Sequence, residues 1–142
     1  MAENVSRLVD TGLVIGADTV VVCDGLILGK PSSLQEAQMM LGRLSGRMHQ
    51  VMTAVAIVDA SGEQPIWQGV ETTKVTFKPL TEKMIKWYLA TNEWLDKAGA
   101  YGIQGYGALL VEKIEGCYFN VVGLPLNRLV QGLARFGVDI YA

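Results

Sequence analysis

The sequence has very little histidine and cysteine, which limits the chemistry it can support. His49 is the only histidine in 142 residues, so a histidine-based zinc site and a Ser-His-Asp triad both lack their main component. The two cysteines, Cys23 and Cys117, form no CxxC pair and have no metal-ligand spacing. They are interpreted as reduced structural thiols of a cytoplasmic protein, and His49, in a strand-like context, as a structural residue.

Long apolar runs and a strong excess of charge are also absent. No run approaches the roughly 18 apolar residues of a membrane-spanning helix, and the N-terminus lacks the layout of a signal peptide. A net charge of −2 gives no reason to expect nucleic acid or an anionic membrane as a partner. With 50% hydrophobic and 18% charged residues, the chain is expected to fold as one domain over residues 1–142.

Hydrophobic periodicity predicts the strands of a mixed α/β domain. The almost continuously apolar segment 13–23 suits a strand buried on both faces, and Asp24-Gly25 predicts a hairpin turn into 26–28. Longer strands are predicted at 49–58 and 67–78. A second hairpin is predicted around Glu115-Gly116, pairing 109–111 with 117–119.

Start and stop signals predict three helices between these strands. Ser33 and Glu36 form a capping-box pattern at the start of a helix that Ser45-Gly46 ends. Thr81 is a plausible N-cap for a second helix, and Pro125 is tolerated in the first turn of a third. Residues 2–10 are compatible with a short helix.

The segment from Asp96 to Gly107 contains four glycines within nine residues. Glycine at this density suits a backbone that turns tightly or approaches a ligand. Gln104, flanked by these glycines, either reads a base edge or braces the backbone. The Asp96-Lys97 pair would ordinarily be a surface pair. The glycines do not follow the dinucleotide-binding spacing.

Asp18 and Lys30 are the main candidates for functional residues outside this loop. A carboxylate inside an apolar strand costs several kcal/mol to desolvate, unless it is paired, metal-bound or at an open strand end. Gly25–Pro31 is no P-loop, because only three residues separate its glycines and Pro31 stands where Ser or Thr should bind magnesium. Lys30 is compatible with a solvated turn. Together the residues hint at a phosphorylated ligand with a divalent metal.

Several runs, taken in order, resemble the Maf-like proteins, a family of nucleotide pyrophosphatases once described as septum-formation inhibitors. The resemblance covers nearly the whole chain from Leu13 onward. The runs are Gly16-Ala17-Asp18-Thr19-Val20-Val21, Gly29-Lys30-Pro31, Leu44-Ser45-Gly46-Arg47 with His49, Val51-Met52-Thr53-Ala54-Val55, Asp96 to Gly107, and Asn120-Val121-Val122-Gly123-Leu124-Pro125-Leu126. The resemblance implies an α/β fold with a mixed central sheet and flanking helices, like that of the inosine triphosphate pyrophosphatases (anticodon-binding-like).

The resemblance also implies an activity and roles for particular residues. The family hydrolyses a nucleoside triphosphate between the α and β phosphates, with magnesium or manganese. Asp18 matches the catalytic aspartate and a partner of the metal, and Lys30 the lysine that neutralises phosphate charge. Thr19 and Gln104 match positions linked to base choice. The Asp96–Gly105 loop, with Lys97 as a further substrate-binding residue, resembles the subgroup acting on dTTP and UTP. Family habit favours a homodimer.

Two departures from the family pattern bear on activity. Trp94 stands where the family usually has proline. Family members also begin with a strand and a Ser-x-Ser-Pro-Arg-Arg loop, and no Ser-Pro-Arg-Arg occurs in this sequence. Its arginines would clamp the triphosphate, and the missing strand is expected to leave an unpaired sheet edge. The alternative function is therefore a shortened, catalytically weak or inactive paralogue that binds nucleotide or regulates division. A fragment cut at its N-terminus is a third interpretation.

Overall fold

The computed structural model describes residue 2 and residues 11–142. The short helix considered for residues 2–10 therefore lies, apart from residue 2, outside the described residues. The strands are β1 (Leu13–Cys23), β2 (Leu26–Leu28), β3 (Met48–Asp59), β4 (Trp67–Phe77) and β5 (Val111–Glu115). The α-helices are α1 (Leu34–Leu44), α2 (Glu82–Leu89), α3 (Tyr118–Val122) and α4 (Leu126–Arg135), and 3₁₀ turns span Ala98–Ala100 and Gly105–Leu110.

The five strands form one sheet in the order β2-β1-β3-β4-β5, and each neighbouring pair is antiparallel. Asp24 and Gly25 have φ angles of 50° and 78°, the left-handed values that a two-residue hairpin turn requires, so the predicted turn is confirmed. The predicted α/β class, with a central sheet flanked by helices, is also confirmed. The expected mixture of parallel and antiparallel strands is not found among the described strands, where the sheet is antiparallel throughout.

The main core lies between one face of the sheet and helices α1 and α2. Val51 and Val75 contribute from β3 and β4, Leu41 from α1 and Tyr88 from α2, each at most 2% exposed. Burying a side chain of this size stabilises the fold by about 1.5–3 kcal/mol relative to leaving it in water. This packing fixes β3 and β4 against the helices.

The predicted helix starts are confirmed. Ser33 Oγ accepts a hydrogen bond from the Glu36 amide at 3.1 Å, and Thr81 Oγ1 accepts one from the Met84 amide at 3.1 Å. Each bond satisfies an amide that the first helical turn leaves without a partner, which is typically worth about 1 kcal/mol. Ser45, just after α1, accepts the Leu80 amide at 2.7 Å and so connects the end of α1 to the start of α2.

The expectation that β1 is buried on both faces is wrong. Only Val21 and Cys23 are buried, whereas Ile15 and Asp18 are exposed. The three-residue strand β2 pairs only with Val21–Cys23. Within the described residues, the stretch 13–20 therefore pairs on its β3 side alone.

The predicted second hairpin is also wrong. Residues 105–110 form a 3₁₀ turn, β5 begins at Val111 and pairs with β4, and 118–122 form helix α3. Gly116, with φ at 125°, turns the chain out of the sheet. The buried side chain of Asn120 then bonds to the sheet, so this segment crosses the sheet face instead of adding a strand. None of the described helices is long and apolar enough to cross a membrane.

Candidate active site

A cleft of about 350 Å³ lies between strand β1 and the glycine-rich loop, with the end of α3 as a third side. The structure brings the predicted site residues together here, since each of them lines this cleft: Asp18, Thr19, Lys30, Lys97 and Gln104. They come from three separate parts of the chain. Their individual roles remain predictions.

One side of the cleft, the strand wall, consists of Asp18 and Thr19 on β1. Asp18 stands opposite Ala54 and Thr19 opposite Thr53 in the β1–β3 pairing. Because Asp18 is exposed, its carboxylate does not incur the desolvation cost that the sequence led us to consider.

Behind the strand wall lies a buried polar network that reaches α3. The hydroxyls of Thr19 and Thr53 are 2.9 Å apart, and Thr53 Oγ1 donates to the Asn120 carbonyl oxygen at 3.3 Å. Asn120 Nδ2 donates to the Val51 carbonyl oxygen and to Thr73 Oγ1, both at 3.0 Å. Thr53, Thr73 and Asn120 are completely buried. The network holds Thr19 and the α3 side of the cleft in one arrangement.

The opposite side, the loop wall, is the segment Gly102–Gly107. Its backbone is held at both ends by two side chains, Tyr88 in α2 and Glu93 shortly after that helix. The Gly102 amide donates to Tyr88 Oη at 3.0 Å. The Tyr106 and Gly107 amides donate to Glu93 Oε2 and Oε1 at 2.9 and 3.1 Å. Glu93 also lines the cleft, and sequence reasoning missed it.

Two glycines of the loop wall are required by its geometry. Gly105 has a φ of 66°, and a Cβ there would collide with the Glu93 carboxylate. A Cβ at Gly107 would collide with the carbonyl oxygen of Gly102. The glycine density noted in the sequence therefore reflects close backbone approach.

Below the loop wall, His49 packs in the core against two aromatic rings. Its Nε2 is 2.7 Å from Tyr101 Oη, and the Phe77 ring meets both rings edge-on at centroid distances of 5.0 and 4.7 Å. His49 is 1% exposed, and burial lowers its pKa to about 4, so the imidazole is neutral at pH 7. Burial also raises the pKa of Tyr101. The interpretation of His49 as structural agrees with this position.

Comparison with known proteins identifies the family. A family model described as Maf-like protein matches residues 1–136. The chain belongs to this family. The relatives named dTTP/UTP pyrophosphatase include one from Syntrophomonas wolfei, 50% identical over 139 residues, which cover 98% of this chain and 73% of the relative. One from Symbiobacterium thermophilum is 53% identical over 140 residues, which cover 99% of this chain and 71% of the relative. One from Moorella thermoacetica is 55% identical over 141 residues, which cover 99% of this chain and 72% of the relative.

The charges around the cleft of this Maf-like protein are of both signs. Asp18, Glu93 and Asp96 contribute carboxylates, and Lys30 and Lys97 contribute ammonium groups. Among the residues that the structure describes, no three His, Cys, Asp or Glu side chains are grouped closely enough to hold a metal ion by themselves. Magnesium is usually held by one or two carboxylates together with substrate phosphates and water. The exposed Asp18 fits that kind of binding.

The structure shows what the indole of Trp94 does in this Maf-like protein. Trp94 is 8% exposed and packs in the main core. Its Nε1 donates to the Leu89 carbonyl oxygen at 2.9 Å, which connects the segment after α2 to the end of that helix. The indole therefore makes a buried contact immediately after Glu93.

Proposed function

We propose that this protein hydrolyses dTTP and UTP to the nucleoside monophosphate and pyrophosphate. The observation that carries the proposal is the convergence of a carboxylate, lysines and an amide on one cleft, namely Asp18, Lys30, Lys97 and Gln104. The names of the relatives, at 50–55% identity over nearly the whole chain, support the same substrates.

In this proposal Asp18 and Lys30 perform the chemistry. The Asp18 carboxylate takes a proton from the water that attacks the α–β phosphoanhydride, and the bond to the bridging oxygen breaks as pyrophosphate leaves. Lys30 neutralises the negative charge that grows on the leaving pyrophosphate. The exposed position of Asp18 supports its role, since water reaches the carboxylate directly.

The proposed cofactor is a divalent cation, magnesium or manganese, held by Asp18 together with the substrate phosphates. When bound, it neutralises charge on the phosphates during bond cleavage. Lys97 adds a positive charge on the loop side of the cleft, where it binds the phosphates.

Base choice is assigned to Gln104 and Thr19. The Gln104 amide offers a donor and an acceptor, which suits the edge of thymine or uracil. Thr19 Oγ1 is held by Thr53 on its inner side, so its hydroxyl is fixed at the cleft.

The test is pyrophosphate release by the 142-residue chain with magnesium, on dTTP, UTP, CTP, 7-methyl-GTP and ITP. Asp18→Asn serves as the inactive control and Glu82→Ala, an exposed residue at the start of α2, as the neutral one. Turnover of dTTP and UTP that disappears only in Asp18→Asn supports the proposal. Binding of dTTP without turnover would instead support the alternative of a nucleotide-binding regulatory module.

We further propose that the protein is a homodimer of single-domain chains in the cytoplasm. The support for the dimer is the edge of β1 along residues 13–20, which pairs with no other described strand. Light scattering after size-exclusion chromatography measures the mass directly, and a monomer at micromolar concentration would contradict the dimer.

A further inference from the structure

Glu93 binds the backbone of the loop wall with both of its carboxylate oxygens. Oε2 accepts the Tyr106 amide at 2.9 Å and Oε1 the Gly107 amide at 3.1 Å. Hydrogen bonds to a charged acceptor are roughly twice as strong as neutral ones. Because the two donors are consecutive in the chain, the carboxylate fixes both the position and the direction of the backbone there.

Gln104 lies between this contact and a second one. Two residues before it, the Gly102 amide donates to Tyr88 Oη, and two residues after it comes the first Glu93 contact. Within the described residues, the exposed Gln104 side chain makes no hydrogen bond of its own. The backbone that Tyr88 and Glu93 hold therefore sets the position from which the Gln104 side chain extends along the cleft.

The same contacts argue against a direct chemical role for Glu93. If its carboxylate turned to bind a metal ion or a water, the Tyr106 and Gly107 amides would lose their acceptors. Gly105 would also lose the neighbour that fills the space where its Cβ would be. Glu93 lines the cleft, but its oxygens face the loop.

We infer that Glu93 is a positioning residue that determines base discrimination by holding the loop wall so that Gln104 faces the nucleotide base. This inference rests on the proposed function, because it gives Glu93 the role of positioning Gln104, the residue proposed to bind the base. Loss of Glu93 leaves Asp18 and Lys30 in place and releases the loop. It lowers the preference for UTP over CTP, which differ at the base edge, more than it lowers turnover.

The first measurement follows the loop without using activity. Amide hydrogen exchange by NMR is compared in the wild type, Glu93→Ala, Glu93→Gln and the control Glu82→Ala, an exposed carboxylate on α2. We expect the Tyr106 and Gly107 amides to exchange at least about tenfold faster in Glu93→Ala, with a smaller change in Glu93→Gln, whose amide keeps one acceptor oxygen. Unchanged exchange in Glu93→Ala would overturn the inference.

The second measurement is the ratio of kcat/KM for UTP to that for CTP. We expect Glu93→Ala to lower this ratio about tenfold, Gln104→Ala to lower it similarly, and the double variant to lower it no further. A uniform loss for both nucleotides would mean that Glu93 is only structural and would overturn the inference. If Glu93→Ala does not fold, the test uses Glu93→Gln, which should lower the ratio of kcat/KM for UTP to that for CTP by a smaller factor. An unchanged ratio in Glu93→Gln would then overturn the inference.

The two proposals fail in different ways. If the wild type hydrolyses none of the nucleotides, the proposed enzymatic function fails, and the ratio of Kd values for UTP and CTP, read from tryptophan fluorescence, replaces the kinetic ratio. Equal Kd values in the wild type would then overturn the positioning role of Glu93 as well. A wild-type preference for UTP that Glu93→Ala removes would support it.

Discussion

The two walls of the cleft are held in different ways. The strand wall belongs to β1, which pairs with β3 through ten consecutive residue pairs and is backed by the buried Thr53–Asn120 network. The loop wall is held by three backbone amides bound to the side chains of Tyr88 and Glu93. Asp18, the proposed proton acceptor, lies on the rigid element, and Gln104 lies on the less constrained one.

The largest effect should come from the strand wall. We expect Asp18→Asn to lower kcat about a thousandfold for every nucleotide, since it removes the proposed proton acceptor. Because Asp18 is exposed, the free energy of unfolding should change by no more than about 0.5 kcal/mol. Steady-state kinetics measures the change in kcat, and urea unfolding measures the change in the free energy of unfolding. Activity of Asp18→Asn near that of the wild type would refute the role proposed for Asp18.

Gly107→Ala tests how tightly the loop wall is packed. The added methyl group would meet the Gly102 carbonyl oxygen, so we expect the free energy of unfolding to fall by about 3 kcal/mol. Gly42→Ala is the matched control: it lies in α1, has open space around its Cβ position and should stabilise the helix by about 0.5–1 kcal/mol. Equal urea midpoints for the two variants would show that the loop can relax.

A smaller effect concerns the core below both walls. His49 has a pKa of about 4 in the folded chain, against 6.5 when unfolded. Between these values the unfolded chain binds the proton and the folded chain does not. The contribution of His49 to the free energy of unfolding is therefore fully present above pH 6.5, and it falls by about 2.5 kcal/mol as the pH drops to 4.

The measurement is the free energy of unfolding as a function of pH for the wild type and His49→Gln. Since His49 is the only histidine, the difference between the two curves isolates this contribution. A wild-type curve parallel to that of the variant between pH 6.5 and 4 would contradict the assigned burial.

The smallest effect should come from the surface beside the strand wall. Arg47 Nη1 and Asp24 Oδ2 form an ion pair at 2.8 Å, but both side chains are more than half exposed. Arg47→Ala should change the free energy of unfolding by less than about 0.5 kcal/mol. A larger loss in urea unfolding would mean that the β1–β2 turn, and not strand pairing alone, fixes the strand wall.

The features that the sequence predicted well depend on near neighbours. The Ser33 and Thr81 caps bind amides three residues away, and the Asp24-Gly25 turn depends on its own two backbone conformations. The motif runs contain the predicted site residues, and the structure places these residues along one cleft, while their roles stay predictions. These signals lie within a few residues of the sequence or in the family pattern.

The features that the sequence missed depend on distant contacts. Glu93 looks like a surface residue until the chain returns at Tyr106 to place two amides beside it. Residues 117–119 were predicted as a strand, but the neighbouring Asn120 side chain donates hydrogen bonds to acceptors on β3 and β4, and residues 118–122 form a helix. The exposure of Asp18 depends on how many strands flank β1, which periodicity within one segment does not reveal.

The exposed position of Gln104 has a consequence for how this protein can evolve. Its side chain supports no neighbour among the described residues, while Tyr88, Glu93 and the surrounding glycines hold the loop. Position 104 can therefore accept another amino acid at little cost in folding. Under the proposed roles, a lineage could exchange one nucleobase preference for another by single substitutions at position 104, with Asp18 and Lys30 unchanged.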